Sequence, residues 1–176
     1  TLDGGHRVAD ITQRLRRFSR QERQEPVEMD LEECLETALK IGWNEIKSKA
    51  SVQKQIAHPL PCVKGHPNQI TQVLINLVVN AAQAIPGRGV IRLGISSTDR
   101  YAIITVQDSG HGISPDDLAK IFTPFFTTKA SGEGTGLGLY VSRGIIEAHG
   151  GTIRAENAPD GGAIFTIELP LIADAP

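Results

Sequence analysis

Apolar residues recur along this chain in two rhythms, and the alternation between them lays out the elements. Val8, Ile11, Leu15 and Phe18 are spaced three, four, three, which predicts a helix over residues 4–24 with a narrow apolar seam. Arg14, Arg16, Arg17, Arg20 and Arg23 surround the seam, and two heptads are too few to hold a coiled coil alone. Such a segment either packs on its own domain or belongs to a bundle completed by other helices; its place at the start of the chain favours the bundle. Pro26 breaks the pattern, and PVEMDL reads as a short strand or connector. Asp30 is placed to cap a helix from Leu31 to about Ala50, with Leu31, Cys34, Leu35, Ala38, Leu39 and Ile41 as its buried face. Glu32, Glu33 and Glu36 fall in its first turns, where the helix dipole favours acid.

Strands VQKQIAH and PCVKG are expected on either side of HPLP, and residues 67–85 carry the strongest helical pattern of the chain. VIRLGISSTDR and YAIITVQD alternate with period two and turn near Asp99–Arg100. A helix from about Gly138 to His149 stops at Gly150–Gly151. TIRAENA and AIFTIELP then form a second hairpin through PDGG. The order mixes helices and hairpins without a repeat. It predicts an α+β two-layer sandwich rather than a doubly wound parallel sheet, whose strands would each need a crossover helix.

Composition narrows this only a little. With 176 residues the chain suits one well-buried domain, and its net charge of −2 points to neither a nucleic-acid surface nor an acidic tail. No apolar run reaches the 18 or so residues of a membrane helix, because Asn76, Asn80 and Gln83 interrupt VLINLVVNAAQAI. Thr1 is not an initiator, so the chain reads as a fragment, and any sensory or membrane portion of a parent would lie elsewhere. Cys34 and Cys62 read as two buried thiols, and no Cys or His spacing fits a transition metal.

The chemistry concentrates in three places. In PNQITQVLINLVVNAAQAI, Ile70, Val73, Leu74, Leu77, Ala81 and Ile85 make a core face, while Gln72, Asn76, Asn80 and Gln83 form one polar row. Asparagine is a poor helix former, and the solvent faces of this chain are built from Lys, Arg and Glu. Carboxamides facing a partly dry cavity explain the row better, and an Asn oxygen suits a hard cation such as Mg2+. Secondly, Asp108 ends a strand and opens DSGHG. Its carboxylate can accept from an exocyclic amine while Gly110 and Gly112 let a flat base approach; a plain turn is equally open. Thirdly, GEGTGLGL places Gly132, Gly134, Gly136 and Gly138 just before a helix, where backbone N–H groups can face phosphates, or can simply form a surface loop. It is neither a Walker loop nor a dinucleotide fingerprint. Between these loops Phe122, Phe125 and Phe126 are expected to anchor the base of the second loop to the core. Lys129 either reaches a phosphate or is solvated.

Together and in this order, these motifs resemble the catalytic and ATP-binding domain of sensor histidine kinases, which shares the Bergerat-type ATP fold with DNA gyrase and related ATPases. NLVVNAAQAI resembles the family's N box, DSGHG its first glycine box, FTPFF its F box and GEGTGLGL its second glycine box, and DGGAIFTIELP the closing glycine and strand. The PFFTTK form is similar to the branch that includes nitrogen-regulation sensors. GGHRVADITQRLRRFSR resembles the second helix of that branch's dimerisation and phosphoacceptor domain.

The resemblance implies a mixed, mostly antiparallel sheet covered on one face by helices, with an N-terminal bundle helix. It implies boundaries at residues 1–25 for the bundle helix, 26–172 for the kinase domain and 173–176 for a tail. Asn80 would be the Mg2+ ligand and Asn76 would support the metal and phosphates. Asp108 would bind the adenine amine. Gly110, Gly112, Ile113, Gly134, Thr135, Gly136, Leu137 and Gly138 would line the nucleotide and its lid. A Lys often stands where this chain has Gln83, so Lys129 or Arg88 would take over that phosphate contact. His6 lacks the acceptor's usual surroundings, which places the phosphoacceptor histidine outside this chain. The implied activity is transfer of the γ-phosphoryl group of ATP to that histidine, for relay to a response-regulator aspartate, in a homodimeric, cytoplasmic or membrane-anchored parent. The alternatives are an ATPase of the same fold with ATP-gated motion and a non-catalytic nucleotide-binding or dimerisation module.

Overall fold

The computed structural model describes residues 25–129 and 134–172. The helix expected over residues 4–24, Gly132 and the tail 173–176 lie outside them. The elements run β1 (Val27–Met29), α1 (Leu31–Ile46), β2 (Ala50–Ile56), β3 (Val63–Gly65), α2 (Pro67–Ala84), β4 (Gly89–Ser97), β5 (Tyr101–Asp108), α3 (Pro115–Leu118), α4 (Gly138–Ala148), β6 (Thr152–Asn157) and β7 (Ala163–Pro170). All the expected strands form. The one-turn helix α3, capped by Ser114, was not anticipated.

Five strands make one sheet in the order β2-β4-β5-β7-β6, and β1 pairs with β3 in a separate ribbon. β4, β5, β7 and β6 are antiparallel neighbours. β2 lies parallel to β4, because the chain crosses over through β3 and α2 between them. Period two puts Ile91, Leu93 and Ile95 of β4 on the helix-facing side, with Ala102, Ile104 and Val106 of β5 and Phe165, Ile167 and Leu169 of β7. The helices cover this face, so the layer order is the expected two-layer α+β sandwich.

α1 begins where Asp30 accepts from the Glu33 N–H at 3.0 Å, with acid in its first turn as the dipole favours. It ends at Ile46, not at Ala50, and Ala50 starts β2. Leu31, Cys34, Leu35, Ala38, Leu39, Gly42 and Ile46 form its buried stripe. Ile41 was expected there but is 60% exposed; ten residues beyond Leu31 it lies about 280° round the helix, off the stripe. Gly42 takes the facing position, and a Cβ there would come within 3.3 Å of Val78 on α2. α2 starts at Pro67 and ends at Ala84, with Ile85 as its C-cap just before Pro86. Ile70, Val73, Leu74, Leu77 and Val78 are almost wholly buried, each worth about 1.5–3 kcal/mol of transfer free energy. α2 is therefore the spine of the helical layer, between α1 and α4.

Candidate functional site

Asp108 belongs to the core by register. It continues the inward parity of Ala102, Ile104 and Val106, so its side chain emerges between sheet and helices and is only 2% exposed. Oδ1 accepts from the Gly110 N–H at 2.8 Å and from the Ala163 N–H at 3.4 Å. Burial is the main influence on the carboxyl and raises its pKa above the ordinary value, opposed by those two backbone donors and by His111. Gly162, at φ +82°, lies so close behind the strand that a Cβ would overlap the Asp108 carbonyl. At Gly110 a Cβ would overlap the carbonyl of Ala84, the last residue of α2, which also accepts from the His111 N–H at 3.3 Å. Gly112 has φ +74° and Ile113 follows it, held by Asn157: Oδ1 accepts from the Ile113 N–H and Nδ2 donates to its carbonyl, both at 2.7 Å.

The Asp108 loop is thus docked on the C-terminal end of α2, and Asn80 sits about 6 Å back along the same helix. Asn76 and Asn80 are half-buried, whereas Gln72 and Gln83 at the ends of the expected row are exposed. The pair is oriented by one network. Asn76 Nδ2 donates to the Oγ of Ser142 at 3.1 Å, and Asn80 Nδ2 donates to Asn76 Oδ1 at 3.4 Å. With both amide nitrogens used inward, Asn80 Oδ1 is left facing the Lys129 ammonium, 3.3 Å away; Lys129 also donates to Gln83 Oε1.

The second glycine loop closes on the same spine. A Cβ at Gly138, the first residue of α4, would overlap Asn76 Oδ1, and one at Gly136 (φ +64°) would overlap the backbone of Phe125. Thr135 is exposed and Leu137 half-buried beside them. Of the three phenylalanines, Phe122 and Phe126 pack against the core, and Phe122 meets Phe165 edge-on at 6.5 Å. Phe125 does not: it is 66% exposed at φ +66°, because its backbone, not its ring, carries the contact with Gly136. Cys62 is likewise exposed where a buried thiol was expected, on the outer side of the β1–β3 ribbon, with its thiol on Glu28 Oε1 at 2.7 Å.

Two contributors were missed by sequence reasoning. Ser142 interrupts the buried Ile145–Ile146 stripe of α4 at helical spacing, and a polar residue in an apolar stripe was the available signal. Asn157 ends β6, and only its long-range contact with Ile113 gives it meaning.

Among the described residues no group of three or more His, Cys, Asp or Glu is placed to hold a metal. Asn80 Oδ1 is a neutral oxygen that accepts from a cation in this structure, the Lys129 ammonium. That donor suits Mg2+, which takes few protein ligands.

Known proteins resemble this chain in sequence and in fold. Residues 65–173 match the family model described as histidine kinase-, DNA gyrase B-, and HSP90-like ATPase. The sensor histidine kinase ZraS of Salmonella typhimurium is 54% identical over 113 residues, covering 63% of this chain and 24% of ZraS. The signal transduction histidine-protein kinase AtoS of Escherichia coli is 37% identical over 166 residues, covering 93% of this chain and 27% of AtoS. The chain thus spans about a quarter of the length of these curated relatives. Among solved structures, the catalytic domain of histidine kinase ThkA aligns with TM-score 0.75 at 34% identity, over 84% of this chain and 99% of that one. ThkA in complex with the response regulator TrrA aligns with TM-score 0.77 at 29% identity, over 97% of this chain and 49% of that one. The chain belongs to the family of histidine kinase-, DNA gyrase B- and HSP90-like ATPases, and within it carries a catalytic, ATP-binding domain of the histidine kinase kind.

Proposed function

We propose that this domain positions Mg2+-bound ATP and hands its γ-phosphoryl group to a histidine on a helix outside residues 26–172, for relay to a response-regulator aspartate. The observation that carries the reading is the Asn76–Asn80 pair, held by Ser142 on the spine against which the Asp108 loop is docked. Asp108 accepts from the adenine amine while its Oδ1 keeps the Gly110 N–H, and Gly110, Gly112 and Ile113 wall the base. Asn80 Oδ1 is the oxygen offered to Mg2+, which when bound neutralises phosphate charge. Asn76 fixes the orientation of Asn80. Gly134, Thr135, Gly136, Leu137 and Gly138 form the loop whose backbone N–H groups face the phosphates at the start of α4. Lys129 or Arg88 supplies the remaining charge.

In the transfer, the bond between the γ-phosphorus and its bridging oxygen breaks, a bond to the histidine nitrogen forms, and ADP leaves. Positioning and charge stabilisation do most of this work in phosphoryl transfer. A carboxamide cannot take a proton from water, so Asn76 in the spine favours transfer over hydrolysis. Residues 1–25 are read as the end of a dimerisation helix, residues 26–172 as the kinase domain and 173–176 as a tail, in a homodimeric parent whose kinase domain is cytoplasmic. The crystallised pairing of ThkA with TrrA supports a receiver-domain partner. The test is incubation with γ-labelled ATP and Mg2+, with and without a fragment bearing the acceptor helix. Slow phosphate release alone and phosphohistidine on the added fragment are expected. Rapid steady hydrolysis, or label on His6, would overturn the reading.

A further inference from the structure

Asp108 and Ile113 bound the loop read as the base pocket, and both are tied to one rung of the sheet. Asn157, the last residue of β6, faces Ala163, the first of β7, in the strand register. The Ala163 N–H donates to Asp108 Oδ1 at 3.4 Å and so holds the start of the loop. Asn157 holds its end, accepting from the Ile113 N–H and donating to the Ile113 carbonyl, both at 2.7 Å. Its amide gives Ile113 the pair of bonds that a neighbouring strand would otherwise supply. Gly112 makes room for this, because a Cβ there would stand 2.8 Å from Asn157 Oδ1. The turn between the two strands is itself braced. The Ala158 N–H donates to the Gly162 carbonyl at 2.9 Å, and Asp160 accepts from Arg92 of β4 and Gln107 of β5, each at 3.2 Å. The amide is therefore aimed from a fixed platform.

Building on the reading of this loop as the adenine pocket, we infer that Asn157 is a positioning residue for base recognition. It lies 44 residues beyond Ile113 and acts only through it, fixing the Ile113 wall opposite the Asp108 carboxylate at the separation a flat base fills. Ile113 packs against the core on its apolar side, which sets its depth but leaves its backbone free to slide along the sheet edge. The two bonds to Asn157 remove that freedom. Asn157 is exposed, so water can replace either bond at small cost and the pair adds little to folding. Water cannot replace their direction. The side chain thus matters to the shape of the pocket more than to the stability of the domain.

The experiment is calorimetric titration of the full chain with adenosine and a non-hydrolysable ATP analogue in Mg2+, for wild type, Asn157→Ala and Asn157→Asp, with denaturant melts of each. Asn157→Ala is expected to weaken both ligands by the same factor, about 5–10-fold, since both present the same base, and to leave the denaturation midpoint near that of wild type. Asn157→Asp keeps an acceptor for the Ile113 N–H but at about pH 7.5 sets a carboxylate oxygen against the Ile113 carbonyl. Adenosine should then bind about tenfold more weakly than to wild type. A protonated carboxyl offers one O–H, so acid restores the missing donor. The deficit relative to wild type should shrink to within about threefold near pH 5. The other titratable or charged groups around this corner are Asp108 and His111 on the loop and Asp160 with Arg92 beside the turn. They are common to both proteins, and their influence cancels in the ratio of affinities. Adenosine binding within about twofold of wild type in both variants, weakening of the ATP analogue alone, a lowered midpoint with unchanged affinities, or a deficit that stays constant with pH would each overturn the inference. Failure of wild type to bind either ligand would instead overturn the ATP-binding reading beneath it.

Discussion

The two ends of the site are built by opposite means. The Asp108 end is made of strand termini: its carboxylate is in the core, its backbone is fixed by β4 and β7, and Gly162 and Ala84 press against it. The Lys129 end is made of side chains reaching across to one helix from a loop, with Thr135 and Lys129 exposed. The backbone of the first end cannot be altered without disturbing the fold, whereas the second end can be rewritten with the fold intact. The comparison predicts that the backbone packing behind the base is coupled to stability and that handling of phosphate is not.

The largest effect should come from the strand end. Gly162→Val puts a branched side chain at φ +82° against the Asp108 carbonyl, and a loss of about 3–5 kcal/mol of stability is expected in denaturant melts, with nucleotide binding lost in parallel. Stability within about 0.5 kcal/mol of wild type would show that this end is not rigid. Asn80→Ala sharpens the contrast from the other side. Affinity for ATP with Mg2+ should fall about 10–100-fold by calorimetry while the denaturation midpoint barely moves, and adenosine should bind as before. Asp108→Asn keeps the Gly110 N–H acceptor but loses the charge. It should weaken adenosine and ATP alike by about tenfold while leaving stability unchanged or raised, because a desolvated carboxylate has been removed.

Smaller effects follow pH. The folded pKa of Asp108 is raised above 3.8, so its protonated form favours the fold below 3.8, and that contribution is lost as pH rises through the raised value. Affinity for adenosine should move the other way and fall as acid protonates the carboxylate. His149 has the opposite sense. Its Nε2 accepts from the His66 N–H at 3.0 Å and its Nδ1 lies 2.8 Å from the Ile145 carbonyl, so the ring is neutral with its proton on Nδ1. Burial lowers its pKa below 6.5. Its contribution is full above 6.5 and is lost as pH falls through the lowered value. Melts of wild type and His149→Gln between pH 7.5 and 5 should show the slope in wild type only. Least of all, Arg143→Ala removes the Glu147 pair and the stacking 6.0 Å over Phe122, for about 0.5–1 kcal/mol and no change in nucleotide binding.

Legibility followed the same division. The elements were readable because their periods are clean: the apolar stripe of α2 is buried where its spacing puts it, and Asn76 and Asn80 stood out against it. Local pattern could not show contact. Ile41 looked like core because it is apolar, yet the helical angle sends it outward and leaves its place to Gly42. Phe125 looked like an anchor, while the fold uses its backbone. The buried state of Asp108 was available from parity with Ala102, Ile104 and Val106, but what fixes its loop is distant in sequence: Gly162, 54 positions ahead, packs on the Asp108 carbonyl, and Ala84 packs on Gly110. Lys129 could not be separated from a solvated lysine until the loop was seen lying on α2.

The sheet's order also governs how this domain keeps company. Among the described residues β2 and β6 are its borders, and a border strand is an invitation for another strand to add on. Lys54 on β2 is tied to Glu36, and Arg154 on β6 to Glu168. A second copy arriving edge to edge would have to strip these charges before a backbone hydrogen bond could form. Paired charges along both borders thus work against fusion of two copies into one continuous sheet, and they do so without covering either strand.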